Sequence, residues 1–131
     1  MPLSLTLYDE TTLGEKQPAL VIDVLTEIMT ARELIRRRVY QEVKDYNTKQ
    51  PEYLYSLVQP TDAEQTLNGY RLRKPRKIDW EKQYDKAIEA FQHNGFILLV
   101  NDQQVEALDT EITLVPETTV SFLKLVPLVG G

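Results

Sequence analysis

Met29-Thr30-Ala31-Arg32-Glu33-Leu34-Ile35 announces a long helix. Thr30 can accept hydrogen bonds from the open amides of a first helical turn, and Glu33, three residues on, can reach back to complete a capping box. Met29 before the cap and Leu34 four positions into the helix suit a hydrophobic staple. Apolar or aromatic residues then recur at 31, 34, 35, 39, 43 and 46, the spacing of one helical face laid on a sheet. Arg36, Arg37, Arg38 and Lys44 fall mostly off that stripe. The pattern predicts a helix over about residues 30–48, ended by Pro51.

Two strands precede this helix. Leu3-Ser4-Leu5-Thr6-Leu7-Tyr8 alternates apolar and polar residues, the period of a half-buried strand. Residues 9–16 are polar and contain Gly14, so they read as a turn. Ala19-Leu20-Val21-Ile22-Asp23-Val24-Leu25 is denser in apolar side chains and reads as a more central strand.

After Pro51 the chain changes character. Residues 51–60 are apolar and tyrosine-rich. Thr61-Asp62-Ala63-Glu64 repeats the capping-box pattern and predicts a short helical turn that Asn68-Gly69 would stop. Arg71, Arg73, Lys74, Arg76 and Lys77 place five positive charges in the eight residues from Tyr70 to Lys77. Such a run is ordinarily a solvated loop; as a binding element it suits an acidic surface on a partner enzyme. Asp79 can cap a second helix that carries Trp80, Tyr84, Ala87, Ile88 and Phe91 on one face, with Gly95 as its left-handed C-cap residue. His93, the only histidine, falls at that helix end, where it reads as structural. Tyr53, Tyr55, Tyr70, Trp80 and Tyr84 are expected to pack this segment onto the rest of the domain, the alternative being that some of them form a partner-docking patch.

The last third is again strand-like. Phe96-Ile97-Leu98-Leu99-Val100 is a continuous apolar run, Asn101-Asp102 marks a turn, and Gln103 to Glu106 returns. Glu111-Ile112-Thr113-Leu114 is short, and either strand or turn fits it. Val120 to Val126 forms a final strand, after which Pro127-Leu128-Val129-Gly130-Gly131 stays uncharged. Chain ends are mostly polar, so an apolar strand running into two glycines stands out.

The strand order, the Thr30-Ala31-Arg32-Glu33-Leu34 helix start and the Gly-Gly end resemble the β-grasp superfamily that contains ubiquitin and its relatives. The closing stretch from Phe96 is similar to the prokaryotic sulfur carriers, namely the small subunit of molybdopterin synthase and the thiamine-pathway carrier. A V-N-G-x-x-V turn and a terminal P-x-x-G-G recur in that group. Here Asp102 stands at the turn's glycine, and Val126 where the molybdopterin carrier has a further proline. The resemblance covers residues 1–48 and 96–131; residues 49–95 have no counterpart in a minimal member.

This resemblance implies an α+β fold: a β-grasp mixed sheet packed on one long helix. The domain would be single over 1–131, with a helical insertion (49–95) between the helix and the third strand. It also implies that the Gly131 carboxylate, with Gly130, is activated by an E1-like adenylating enzyme that uses ATP and recognises the tail through Pro127, Leu128 and Val129. Glycines suit a narrow channel because a missing Cβ permits close backbone approach, and five extended residues reach roughly 17 Å. An E2-like enzyme, a JAB-type deconjugating peptidase and target proteins follow as further partners of a protein modifier. The insertion favours that reading, because a conjugation cascade must recognise its modifier repeatedly. The alternatives are a sulfur carrier ending as a thiocarboxylate and a non-covalent adaptor. In each case the chain is a substrate or binder rather than an enzyme, and binds no cofactor or metal itself.

Composition bounds these readings. A chain of 131 residues, 42% hydrophobic and 27% charged, fits one soluble globular domain. A net charge of −5 argues against general nucleic-acid binding. No apolar run is long enough to span a bilayer, and Met1-Pro2-Leu3-Ser4 lacks the marks of a signal peptide, so neither a membrane nor an exported location is expected. The absence of cysteine excludes disulfides and a thiol nucleophile within the chain, and fits a cytoplasmic address. Phosphate-binding glycine loops and hydrolase motifs are likewise missing.

Overall fold

The structure, a computed structural model, describes residues 3–54, 56–66, 69–73 and 76–124. It is a mixed α+β protein with two helices among those residues. In chain order the elements are β1 (Leu3–Thr11), β2 (Lys16–Val24), β3 (Ile28–Thr30), α1 (Ala31–Lys49), β4 (Ala63–Thr66), β5 (Gly69–Leu72) and α2 (Trp80–Gln92). They are followed by β6 (Phe96–Val100), β7 (Gln103–Val105), β8 (Glu111–Thr113) and β9 (Val120–Lys124).

The main sheet has the order β2-β1-β9-β6-β7. Strands β1 and β9 are neighbours within it and run parallel, with Leu7 opposite Val120 and Thr11 opposite Lys124. The remaining pairs, β1 with β2, β6 with β9 and β6 with β7, are antiparallel. Period-2 alternation sorts the side chains between two faces. Leu5, Leu7, Val120, Phe122, Phe96 and Leu98 are buried, whereas Thr6, Tyr8, Leu123, Ile97 and Leu99 are only partly so. Each full burial of such an aliphatic or aromatic side chain stabilises by about 1.5–3 kcal/mol.

Against the buried face lies α1. Its six expected core positions, Ala31, Leu34, Ile35, Val39, Val43 and Tyr46, are all buried. Thr30 caps it, accepting from the Glu33 amide at 3.2 Å. The capping box is only half made, because the Glu33 carboxylate turns to Arg36 at 2.9 Å. Gln50, in the left-handed region at φ 42°, ends the helix ahead of Pro51.

The segment 49–95 departs from the purely helical insertion expected. Thr61-Asp62-Ala63-Glu64 starts no helix. Asp62 takes φ 58°, a conformation aspartate tolerates in turns, and the chain enters the antiparallel β4–β5 hairpin, with Ala63 opposite Leu72. The four-residue cap signal has no 3.6-period stripe behind it, so Ala63 and Leu72 bury themselves as cross-strand neighbours instead. Helix α2 does form, with Asp79 accepting from the Glu81 amide at 3.0 Å. Its left-handed terminal residue is Asn94, φ 58°, rather than Gly95. Gly95 instead suits a close approach: a Cβ there would meet the Ala90 Cβ at 3.2 Å and the Ala90 carbonyl oxygen at 3.3 Å, a tight fit. Tyr53, Tyr70, Trp80 and Tyr84 are half-buried, with Trp80 edge-on to Tyr40 at 5.4 Å. Tyr55 lies outside the described residues.

Asn101 and Asp102, both at positive φ (51° and 63°), make the two-residue β6–β7 turn, so Asp102 serves where glycine would be the easier choice. Glu111–Thr113 is a strand, paired with β3. Among the described residues no helix is long and apolar enough to cross a membrane.

Candidate functional site

Strand β9 is flanked by β1 and β6 and ends, within the described residues, at Lys124. Gly130 and Gly131, and the preceding Pro127, Leu128 and Val129, lie outside the described residues. The root from which they depart is described in detail, and it is charged.

Arg38 is completely buried. Around the helix, position 38 falls between the stripe residues 31 and 34, so the helix aims its long side chain at the sheet rather than at water. Its guanidinium holds both carboxylate oxygens of Asp9 on β1, one of them at 3.0 Å, and donates through Nε to Glu42 Oε1 at 2.5 Å. It also lies over the Phe122 ring, 4.6 Å from the centroid, a favourable place for a desolvated cation. Glu42, one helical turn on and also buried, accepts in addition from the Leu57 amide of the insertion at 3.1 Å. Lys124 completes the set, with Nζ donating to the Ser56 carbonyl at 2.7 Å and lying 3.5 Å from Asp9 Oδ2. Two cations and two carboxylates from β1, α1 and β9 thus meet the insertion backbone at the root of the tail.

Burial and pairing pull these groups in different directions. Burial opposes ionised Asp9, but Arg38 and then Lys124 hold its carboxyl below the usual aspartate range. Burial likewise opposes the Arg38 cation, which Glu42 and Asp9 hold above its ordinary value. For Glu42 burial wins, and its carboxyl is raised despite Arg38. Burial lowers Lys124, partly offset by Asp9. Among the described residues no buried side-chain nitrogen or oxygen lacks a hydrogen-bond partner, which is the condition for tolerating buried charge at all.

The basic run is split. Arg71, on β5, and Arg73 just after it are exposed, and Lys74 lies outside the described residues. Arg76 and Lys77 instead line a cleft of about 270 Å³ together with Lys82 and Lys86 of α2. Arg76 donates to the Thr61 carbonyl at 2.5 Å, and Lys86 to the Thr61 hydroxyl at 2.8 Å, so these two cations brace the cleft wall. Lys82 and Lys86 escaped the sequence reading, although their four-residue spacing on a helix places them on one face.

The insertion is fastened to α1 and itself by further polar bonds. Asn47 both donates to the Ile78 carbonyl at 2.9 Å and accepts from the Ile78 amide at 2.8 Å. Buried Gln83 donates to the Val58 carbonyl at 2.7 Å. No family model, no curated protein and no solved structure matches this chain.

Proposed function

We propose that the chain is a ubiquitin-like β-grasp protein modifier, activated at its Gly131 carboxylate. The observation that carries this reading is the sheet order β2-β1-β9-β6-β7 with parallel β1 and β9 beneath one long helix. In sequence, Pro127 and the two glycines follow the central strand β9, whose last described residue, Lys124, is bonded to the Ser56 carbonyl.

The chemistry follows from the weakness of a carboxylate as an electrophile. A Gly131 oxygen attacks the α-phosphorus of ATP on an E1-like enzyme, the bond to pyrophosphate breaks, and an acyl-adenylate forms. A partner thiolate then attacks the acyl carbon and AMP leaves. An amine of a target protein next displaces the thiol, forming the amide. This chain has no cysteine, so the thiol belongs to a partner, and the chain acts as substrate and carrier.

Deleting Gly131, or adding one residue after it, should abolish all covalent modification while leaving the fold intact. The check is intact-mass measurement of the protein recovered from its host. Heavier adducts cleavable by a JAB-type peptidase are expected. An oxygen-to-sulfur mass increase alone would assign a sulfur carrier instead, and a carboxylate never modified would leave a non-covalent adaptor.

A further inference from the structure

Charge is distributed very unevenly along this chain. Residues 70–86 carry seven Lys/Arg against three Asp/Glu, a net +4, so the remaining residues carry −9. The positive segment folds into a real concavity, the cleft lined by Arg76, Lys77, Lys82 and Lys86. Arg76 and Lys86 are committed to the wall through Thr61. Lys77 and Lys82 are exposed and have no ion-pair partner among the described residues. Asp62 and Asp79 lie in the same lining.

We infer that this cleft docks an acidic protein segment carried by the activating partner; this inference rests on the reading of C-terminal activation above. Three features select a carboxylate-bearing protein segment over a nucleic acid. The cations are strung out rather than focused on one point, with Lys82 and Lys86 separated by about 6 Å of helix rise, which matches a row of carboxylates. Two carboxylates inside the lining oppose a densely charged phosphate backbone but suit the mixed charge of a protein surface. The −9 on the rest of the molecule repels a long polyanion. The cleft's own segment is also tied to Lys124, the last described residue of β9. The Ser56 carbonyl and Leu57 amide, in the same insertion, are held by Lys124 and Glu42 at the tail root. A partner that grips the cleft holds the same chain that carries the carboxylate, which raises the effective concentration of that carboxylate at a second site.

The test is a titration of the isotope-labelled full chain with an acetylated hexaglutamate amide, followed by amide chemical shifts. Binding should perturb Lys77, Asp79 and Lys82 and weaken steeply between low and physiological salt. The double variant Lys77→Glu/Lys82→Glu should lose about tenfold or more in affinity; Lys77→Gln/Lys82→Gln should show a smaller loss in the same sense. Unchanged binding in both variants overturns the inference. So does tighter binding of a twenty-nucleotide single-stranded DNA, which would make the cleft a nucleic-acid site, or equal shifts with inorganic phosphate, which would make it a simple anion site. A chain lacking Gly131 should bind hexaglutamate as the intact chain does. Loss of covalent modification can thus be separated from loss of the docking face.

Discussion

The five-stranded sheet and the insertion 49–95 both rest on α1, yet the helix holds them differently. Toward the sheet it presents Ala31, Leu34, Ile35, Val39 and Val43, an apolar set that needs only area and shape. Toward the insertion it packs Tyr40 on Trp80 and adds Glu42 and Asn47, whose hydrogen bonds to Leu57 and Ile78 demand a particular geometry. Arg38 sits between the two regimes, tied to β1 through Asp9 and to the insertion through Glu42. A greasy contact tolerates a slightly shifted partner, whereas a buried ion bonded at several points tolerates very little. The insertion is accordingly held by directional bonds as well as by packing, while the sheet is mainly covered and tied through Arg38 to Asp9.

Removing the hinge between the two regimes should do the most damage. Arg38→Met strands Glu42 without its ion-pair partner and leaves Asp9 with Lys124 alone, and a loss of about 3–5 kcal/mol is expected from urea unfolding. A loss below about 1 kcal/mol would mean that the cluster is dispensable and the contrast false. Leu34→Ala, on the apolar side, should cost about 2–5 kcal/mol through the cavity left behind, with the same fractional weakening across all sheet amides in hydrogen exchange. Asn47→Ala should cost less, about 1–3 kcal/mol for two orphaned backbone groups. Its exchange acceleration should centre on Ile78 and spare β1 and β9. If the sheet amides accelerate equally, the insertion is not a separately mounted unit.

The smallest effect is a slope. Asp9 titrates below the ordinary aspartate value of about 4 because Arg38 and Lys124 favour its ionised form against burial. Its stabilising contribution is therefore complete above that ordinary value and disappears as pH falls through the depressed one. Glu42, raised by burial, works oppositely: its contribution is present below the ordinary glutamate value and is lost as pH rises through the raised one. Asp9→Asn should flatten the acid limb of a stability-versus-pH curve. An unchanged limb would place the acid sensitivity elsewhere.

The regular half of this architecture was legible in the sequence because its signals are periodic. Thr30, the six-residue stripe of α1 and the alternation of β1 each say the same thing at several positions. Arg38 was misplaced because a charge is read as solvent-facing, and nothing local tells that Asp9, far away in sequence, waits for it on the sheet. Ala63 went wrong for a related reason: a capping box is a four-residue signal, and the pairing with Leu72 that overrode it is made across a hairpin. Lys82 and Lys86 were legible but unread, since their meaning depends on Arg76 and Lys77 folding back beside them. The terminal residues that motivated the functional reading, Pro127 to Gly131, are outside what the structure describes; their root is not.

The pairing of the first strand with the last has a consequence for synthesis. Strand β1 can close a hairpin with β2 as soon as both have been made, but its other edge faces β9, which is synthesised only after both described helices. Until then Leu5 and Leu7 flank an open strand edge, the kind that invites pairing with other chains. The centre of the sheet is the last part to be finished, so a nascent chain stalled before Val120 is left with its core edge unprotected.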